Sequence, residues 1–124
     1  MIEVGIDIEE ISRFENKTLE NNAEFLNRIF TEEELEYCFS HKNPAQHLAA
    51  RFCAKEAAVK ALSGLINAQY KDIKVLNEKS GKPYLVINGC GFKTRVSLSH
   101  TKTTACAMVV VCNFNEVQDV SVKI

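Results

Sequence analysis

Between residues 4 and 9 the chain alternates between apolar residues and residues that are small or acidic. The two sets are Val4, Ile6 and Ile8 against Gly5, Asp7 and Glu9. A period of two places successive side chains on opposite faces of a β-strand. The pattern therefore predicts a half-buried strand with its apolar set inward and its carboxylates on the exposed side. For an arbitrary strand, a solvated sheet face is the simplest explanation of such carboxylates, although acidic residues are poor strand formers.

Helical spacing of apolar residues follows this strand. Residues 10–29 read as helix with a turn at Asn21-Asn22. Thr31 followed by Glu34 is a capping box, in which each side chain accepts from a free backbone N–H at the start of a helix. A helix is therefore predicted over residues 32–39.

The strongest helix signal begins near Ala45 and ends at Gly64, which fits a C-terminal cap. Its large apolar residues recur at helical spacing, and alanines fill close-packed positions between them. These apolar residues are Leu48, Phe52, Val59 and Leu62.

Strands are predicted for most of the remaining chain. The segments are 72–76, 84–87, 94–99 with Val96 and Leu98 inward, and 105–112. The last of them is a continuous apolar run, which indicates a central strand or one buried on both faces. A strand, then helices, then several strands with short links predict an α+β fold with a mainly antiparallel sheet. The length of 124 residues suits a single domain over residues 1–124.

Composition and charge exclude several classes of protein. The apolar share of 46% and charged share of 25% are typical of soluble globular domains. The net charge of −1 argues against a general nucleic-acid binder, which usually shows a basic excess. No run of about 20 apolar residues predicts a membrane span. The acidic N-terminus does not resemble a signal peptide. The five cysteines lack CxxC spacing, which predicts reduced thiols. We therefore expect a cytoplasmic protein.

One pair of carboxylates could form a site. Glu56 and Lys60 are four residues apart, which is most simply a surface ion pair on the predicted helix. Glu56, however, lies beside Phe52 and Val59 on the helical wheel, at the edge of the buried stripe. If that helix packs on the first strand, Glu56 can meet Asp7. Two carboxylates with phosphate oxygens and water are the usual ligands of Mg²⁺.

The three histidines carry less information. His100 follows a strand and precedes a loop rich in hydroxyl groups that begins at Thr101. A lone histidine is more often a structural hydrogen-bonding group than a catalyst. His41 and His47 lie on either side of Pro44 without a spacing signal, and we interpret both as surface residues.

Three motifs taken together carry a resemblance. They are Gly5-Ile6-Asp7-Ile8 followed by Ile11-Ser12-Arg13-Phe14, Arg51-Phe52-Cys53-Ala54-Lys55-Glu56-Ala57-Ala58-Val59-Lys60-Ala61, and Ser97-Leu98-Ser99-His100-Thr101. In this order and spacing the chain resembles the 4′-phosphopantetheinyl transferases, specifically the small bacterial holo-acyl-carrier-protein synthases. The departures are Ala50 in place of a common glycine, Cys53 in place of alanine, and Glu9, which forms a D-x-E pair typical of the larger class.

The resemblance implies a fold, a reaction and a set of roles. A mainly antiparallel sheet would pack against a long central helix. The 4′-phosphopantetheine arm of coenzyme A would pass to a serine of an acyl carrier protein, leaving adenosine 3′,5′-bisphosphate. Asp7 and Glu56 would hold Mg²⁺, with Glu56 or a water it orients accepting the serine proton. Lys60 would stabilise the leaving oxygen. The implied coenzyme A contacts, beside Lys60, are Arg51, Lys82, His100 and Thr101.

The same resemblance implies partners. Arg13 and Arg28 match positions that meet the acidic helix of the carrier protein, although ordinary helix-surface charge explains them nearly as well. The small class implies a cytoplasmic homotrimer of fatty-acid biosynthesis and lipid metabolism, with sites between subunits. Two alternatives remain at this point. One is a Mg²⁺-dependent hydrolase that cleaves coenzyme A, and the other is a non-catalytic carrier-protein binding module, which would be expected to have lost a carboxylate or the lysine.

Overall fold

The structure is a computed structural model and describes residues 1–113 of the chain. Within these residues it contains five strands and three α-helices, in the order β1 (Ile2–Glu10), α1 (Ala23–Ile29), α2 (Glu32–Phe39), α3 (Pro44–Leu62), β2 (Ile73–Asn77), β3 (Pro83–Ile87), β4 (Lys93–His100) and β5 (Thr104–Cys112). Short 3-10 helices occupy Ile11–Phe14 and Tyr70–Asp72. None of the helices described has the length and apolar character that a membrane crossing requires.

The strands form two antiparallel sheets. A three-stranded sheet has the order β1-β5-β4, and β2 pairs with β3 as a separate hairpin. Ile6 lies opposite Met108, which in turn lies opposite Ser97, so the continuous apolar run is the central strand, as predicted. Helix α3 packs against β1 and β5 and is buried over most of its length. The α+β class with a mainly antiparallel sheet is therefore confirmed.

The prediction of which face of β1 is buried was wrong. Ile6 and Ile8 are 59% and 67% exposed, whereas Gly5 is buried against α3 and Asp7 and Glu9 are half-buried on the same side. The cause is the close approach of β1 to α3. A Cβ atom on Gly5 would lie 1.8 Å from the carbonyl oxygen of Ala57, so only a residue without a side chain allows the two backbones to meet. This contact overrides the hydrophobic pattern of the strand.

The helical segments differ in detail from the prediction. Of residues 10–29, only Ile11–Phe14 and Ala23–Ile29 are helical, and Asn21-Asn22 lies between them. The Thr31–Glu34 capping box is present and begins α2 at Glu32, as predicted. Helix α3 ends at Leu62, and Gly64 adopts a left-handed φ of 85° just beyond it. All five cysteines are free thiols, as expected.

A fully buried ion pair joins α2 to α3. Lys55 Nζ lies 2.6 Å from Glu34 Oε1, and both side chains have no solvent exposure. The carboxylate also accepts the backbone N–H of Thr31 (2.8 Å) and of Val75 (2.7 Å), so both of its oxygens are hydrogen-bonded. Burial lowers the pKa of Lys55, and the charge of Glu34 opposes that shift. Satisfaction of every partner is what allows such a pair to persist in a core.

Gly5→Ala should prevent β1 from docking on α3. Overpacking of a core usually costs about 1–3 kcal/mol, and a clash with a helix backbone should reach or exceed the upper end of that range. Urea denaturation measures the loss. Gly91→Ala is the matched control, because its Cβ would meet nothing within 4 Å. Equal stabilities of the two variants would contradict the contact.

Candidate active site

The contact between β1 and α3 places Asp7 over the helix. Asp7 is two residues beyond Gly5 and therefore faces the same way. Its Oδ1 atom accepts a hydrogen bond from Lys60 Nζ at 3.3 Å, and the same ammonium donates to the carbonyl oxygen of Ile6 at 2.9 Å. The side chain of Asp7 is only 10% exposed, and its Oδ2 atom is buried without a hydrogen-bond partner in the described part of the chain. A buried carboxylate oxygen without a donor requires an explanation, and a bound cation would supply one.

Glu56 lies one helical turn before Lys60. It is half-buried at the edge of the core, as predicted from the helical wheel. The predicted surface pair with Lys60 is replaced by other contacts, since Lys60 bonds Asp7 and Glu56 Oε1 accepts a hydrogen bond from the hydroxyl of Tyr70. That hydrogen bond, together with burial, raises the pKa of Tyr70 to about 12.

The residues around Asp7 fit a Mg²⁺ ion with few protein ligands. Magnesium is usually held by one or two carboxylates with waters and substrate phosphates, and Asp7 with Glu56 is such a set. Glu9, on the same face of β1 as Asp7, is paired with Arg13, whose Nη1 lies 3.0 Å from Glu9 Oε1. Within residues 1–113 no group of three or more potential metal ligands occurs. Burial raises the pKa of Glu9, and the nearby charge of Asp7 adds to the shift.

A second group of candidate residues surrounds a cavity of about 400 Å³ between α3, the β2–β3 hairpin and β4. Arg51, Lys82 and His100 all line it. Thr101 does not line it. Its Oγ1 accepts the N–H groups of Thr103 and Thr104 in the turn between β4 and β5. A larger cavity of about 670 Å³ beside Phe14 and Lys42 contains none of these residues.

Arg51 is held at the base of this cavity. Its guanidinium lies 3.9 Å from the centre of the Tyr37 ring and donates through Nη2 to Asn77 Oδ1. The side chain is buried, and its Nε–H has no partner among the described residues. A guanidinium held in this way at the wall of a cavity is suited to binding a phosphate group.

His41 and His47, interpreted from the sequence as surface residues, are partly exposed and contact each other. Their ring centroids lie 3.9 Å apart, with the planes tilted by 33°. His41 Nδ1 lies 2.7 Å from the carbonyl oxygen of Tyr37, and His47 lines the cavity that contains Arg51. Burial lowers the pKa of His47 to about 4, with further effects from His41, Arg51 and His100. Neither residue has a sequence signal, because their contact depends on how the loop at Pro44 folds.

The two arginines proposed for partner binding each form a local ion pair. Arg13 bonds Glu9 and also lies 4.9 Å from the centre of the Phe52 ring, close to the carboxylates of the site. Arg28 lies 2.7 Å from Glu24 on the exposed face of α1.

The ring of His100 is oriented by α3, because its Nε2 atom lies 2.9 Å from Nε2 of Gln46 on that helix.

Comparison with known proteins places this geometry in a family. The model of the 4′-phosphopantetheinyl transferase superfamily matches residues 3–112. The chain belongs to this superfamily. A holo-[acyl-carrier-protein] synthase of Thermodesulfovibrio yellowstonii is 45% identical over 112 residues, covering 90% of this chain and 99% of that protein. The resemblance seen in the three motifs is thereby confirmed.

Solved structures of other family members share the fold. A holo-(acyl-carrier-protein) synthase from Bacillus anthracis, in complex with CoA (3′,5′-ADP), has a TM-score of 0.75 at 35% identity and covers 88% of this chain and 94% of that one. The Helicobacter pylori holo-[acyl-carrier-protein] synthase in complex with coenzyme A has a TM-score of 0.76 at 29% identity, over 88% of this chain and 99% of that one. The predicted membership of a transferase family is therefore confirmed.

His47 should remain neutral down to about pH 4. Because the unfolded chain takes up this proton at about pH 6.5, the unfolded state binds more protons between these values. Stability should therefore be lost as pH falls from about 6.5 to about 4, and His47→Phe should flatten that part of the profile. Histidine-selective NMR titration and urea denaturation at several pH values measure both effects. A His47 pKa near 6.5 would contradict the burial.

Proposed function

We propose that this chain transfers the 4′-phosphopantetheine group of coenzyme A to a serine of an apo acyl carrier protein, releasing adenosine 3′,5′-bisphosphate in a Mg²⁺-dependent reaction. The observation that carries the proposal is the buried Oδ2 atom of Asp7, which has no hydrogen-bond partner within residues 1–113. It lies beside Lys60, on the strand that packs against the helix carrying Glu56. The names of the relatives and their complexes with coenzyme A support the same reaction class. Residues 1–124 would form one transferase domain.

Each residue of this site has a role in phosphoryl transfer, which depends mainly on positioning and charge neutralisation. Asp7 and Glu56 would hold Mg²⁺, which when bound offsets negative charge on the pyrophosphate. Glu56, directly or through a water, would accept the proton of the attacking serine. Lys60 would donate to the leaving phosphate oxygen, since its side chain is 54% exposed and its ammonium already lies beside Asp7.

The nucleotide end of coenzyme A would occupy the cavity lined by Arg51, Lys82 and His100. The guanidinium of Arg51 and the ammonium of Lys82 would bind phosphate oxygens. Thr101 would contribute through the turn that it closes beside His100. These assignments rest on a cavity that collects basic residues from three separate segments of the chain.

The acyl carrier protein would dock where Arg13 is exposed next to the carboxylate site. An acidic helix can compete with Glu9 for the guanidinium, because surface ion pairs of this kind contribute little stability. Arg28 would provide a second contact from α1. We also place the protein in the cytoplasm, in fatty-acid biosynthesis and lipid metabolism.

We propose that the functional unit is a homotrimer with sites between subunits. Strand β1 and the centre of β5 expose an apolar face that nothing covers within residues 1–113, formed by Ile2, Val4, Ile6, Ile8 and Met108. A contiguous apolar face of this kind favours burial against another molecule. Arg51 and Glu56 are five positions apart on α3, which rotates them by about 140° around the helix axis. The cavity and the carboxylates of one chain therefore face different directions. This favours an active site in which the cavity of one copy is completed by the carboxylates of a second copy.

An intact-mass assay tests the reaction. The protein is mixed with apo acyl carrier protein, coenzyme A and Mg²⁺, and a parallel sample contains EDTA. A mass gain of one phosphopantetheine arm, absent with EDTA, is the expected result. Cleaved coenzyme A without a mass gain would indicate the hydrolase, and intact coenzyme A without a mass gain would indicate a binding module.

Asp7→Ala and Glu56→Ala should each reduce turnover in this assay by at least about a thousandfold, because several kcal/mol of transition-state charge stabilisation would be lost. Circular dichroism should show an unchanged fold. Glu78→Ala, in the exposed β2–β3 turn, is the control and should retain full activity. Full activity of either site variant would refute the metal-site assignment.

Met108→Asp should convert the trimer to monomer, because Met108 lies at the centre of the exposed sheet face and pairs with Ile6 on β1. Sedimentation velocity at micromolar protein measures the change. Val86→Asp introduces the same charge at an exposed position of the β2–β3 hairpin and should leave the assembly intact. A monomeric wild-type protein, or a Met108→Asp variant that assembles normally, would contradict the proposed interface.

A further inference from the structure

Tyr70 is held in place through three separate contacts with α3. Its ring packs on Phe52, with centroids 5.6 Å apart and planes tilted by 56°. Its backbone carbonyl oxygen accepts a hydrogen bond from Lys55 Nζ at 2.9 Å. Its hydroxyl donates to Glu56 Oε1. The residue therefore has one defined position relative to the helix, and the only one of these contacts that reaches the proposed catalytic site is the hydroxyl.

The buried ion pair makes this arrangement rigid. Lys55 is fixed by Glu34, and Glu34 also accepts the N–H of Val75 on β2. The 3-10 helix that carries Tyr70 leads directly into β2. Both ends of this short segment are thus tied to the same buried carboxylate, one through Lys55 and one through Val75. A segment fixed in this way can impose an orientation on a side chain that it contacts.

We propose that Tyr70 is a positioning residue for Glu56. The hydroxyl of Tyr70 holds Oε1 of Glu56, which leaves Oε2 as the oxygen that binds the metal ion. This inference rests on the proposed function, because it assigns Glu56 to the metal site. A hydroxyl is suited to the task because it is neutral. It fixes the carboxylate without cancelling the negative charge that attracts a cation, as a lysine or arginine in the same place would do.

The chemistry of the contact sets the size of the effect. Removal of a hydrogen-bonding partner of a metal ligand typically weakens metal affinity by about 10–100-fold. Tyr70→Phe removes only the hydroxyl and leaves the ring against Phe52 and the carbonyl beside Lys55. A purely structural role of Tyr70 in packing would therefore survive this substitution, whereas the positioning role would not.

The experiment uses Mn²⁺ as the probe, with and without coenzyme A. Electron paramagnetic resonance of free Mn²⁺ gives the affinity of wild-type protein and of Tyr70→Phe, and thermal unfolding is followed in parallel. We expect Tyr70→Phe to bind Mn²⁺ at least about 10-fold more weakly, with an equal rise in the apparent KM for Mg²⁺ and a kcat at saturating Mg²⁺ within about twofold of wild type. Tyr84→Phe removes an exposed hydroxyl on β3 and should change none of these quantities.

The possible outcomes separate this inference from the proposed function. Equal Mn²⁺ affinities of wild type and Tyr70→Phe would overturn the positioning role, as would a loss of kcat that saturating Mg²⁺ does not restore. A wild-type protein that binds no Mn²⁺ even with coenzyme A would overturn both. If Tyr70→Phe weakens Mn²⁺ binding but the wild type transfers no phosphopantetheine, the positioning role stands and the proposed reaction fails.

Discussion

The close approach of Gly5 to the backbone of Ala57 is the constraint on which the candidate site depends. A strand can lie this near to a helix only where the strand residue at the contact is glycine, which has no side chain. Once β1 is in this position, its alternation turns Asp7 toward α3 and into reach of Lys60. The buried alanines of the helix provide the flat surface that receives the strand. The position of Asp7 in the site therefore follows from a packing contact between two backbones.

The same contact explains why the sheet has an apolar outer face. With the small and acidic positions of β1 turned toward the helix, Val4, Ile6 and Ile8 must point away from it. Met108 on the central strand extends this face, since it pairs directly with Ile6. Formation of the carboxylate site and exposure of an apolar surface are thus two consequences of one orientation, which links catalysis to assembly in the proposed trimer.

Helix α3 carries two buried cations and one exposed cation. Arg51 and Lys55 are buried cations with defined partners, and Lys60 at the far end is exposed beside a half-buried carboxylate. Glu34 pairs with Lys55 and accepts two backbone N–H groups besides, whereas Asp7 Oδ2 has no donor within residues 1–113. The ion pair in the core is thus fully hydrogen-bonded, and the one at the candidate site is not.

The residue pattern alone predicted the order of the main elements, the α+β class, the central strand, the capping box and membership of the superfamily through the three motifs. Local patterns suffice for these because periodicity and capping depend on neighbours along the chain. Three features became visible only in the folded chain: which face of β1 is buried, the contact of His41 with His47, and the hydrogen bond from Tyr70 to Glu56. Each of these depends on contact between residues from different elements, and a backbone contact at a glycine can outweigh the apolar side chains of a whole strand.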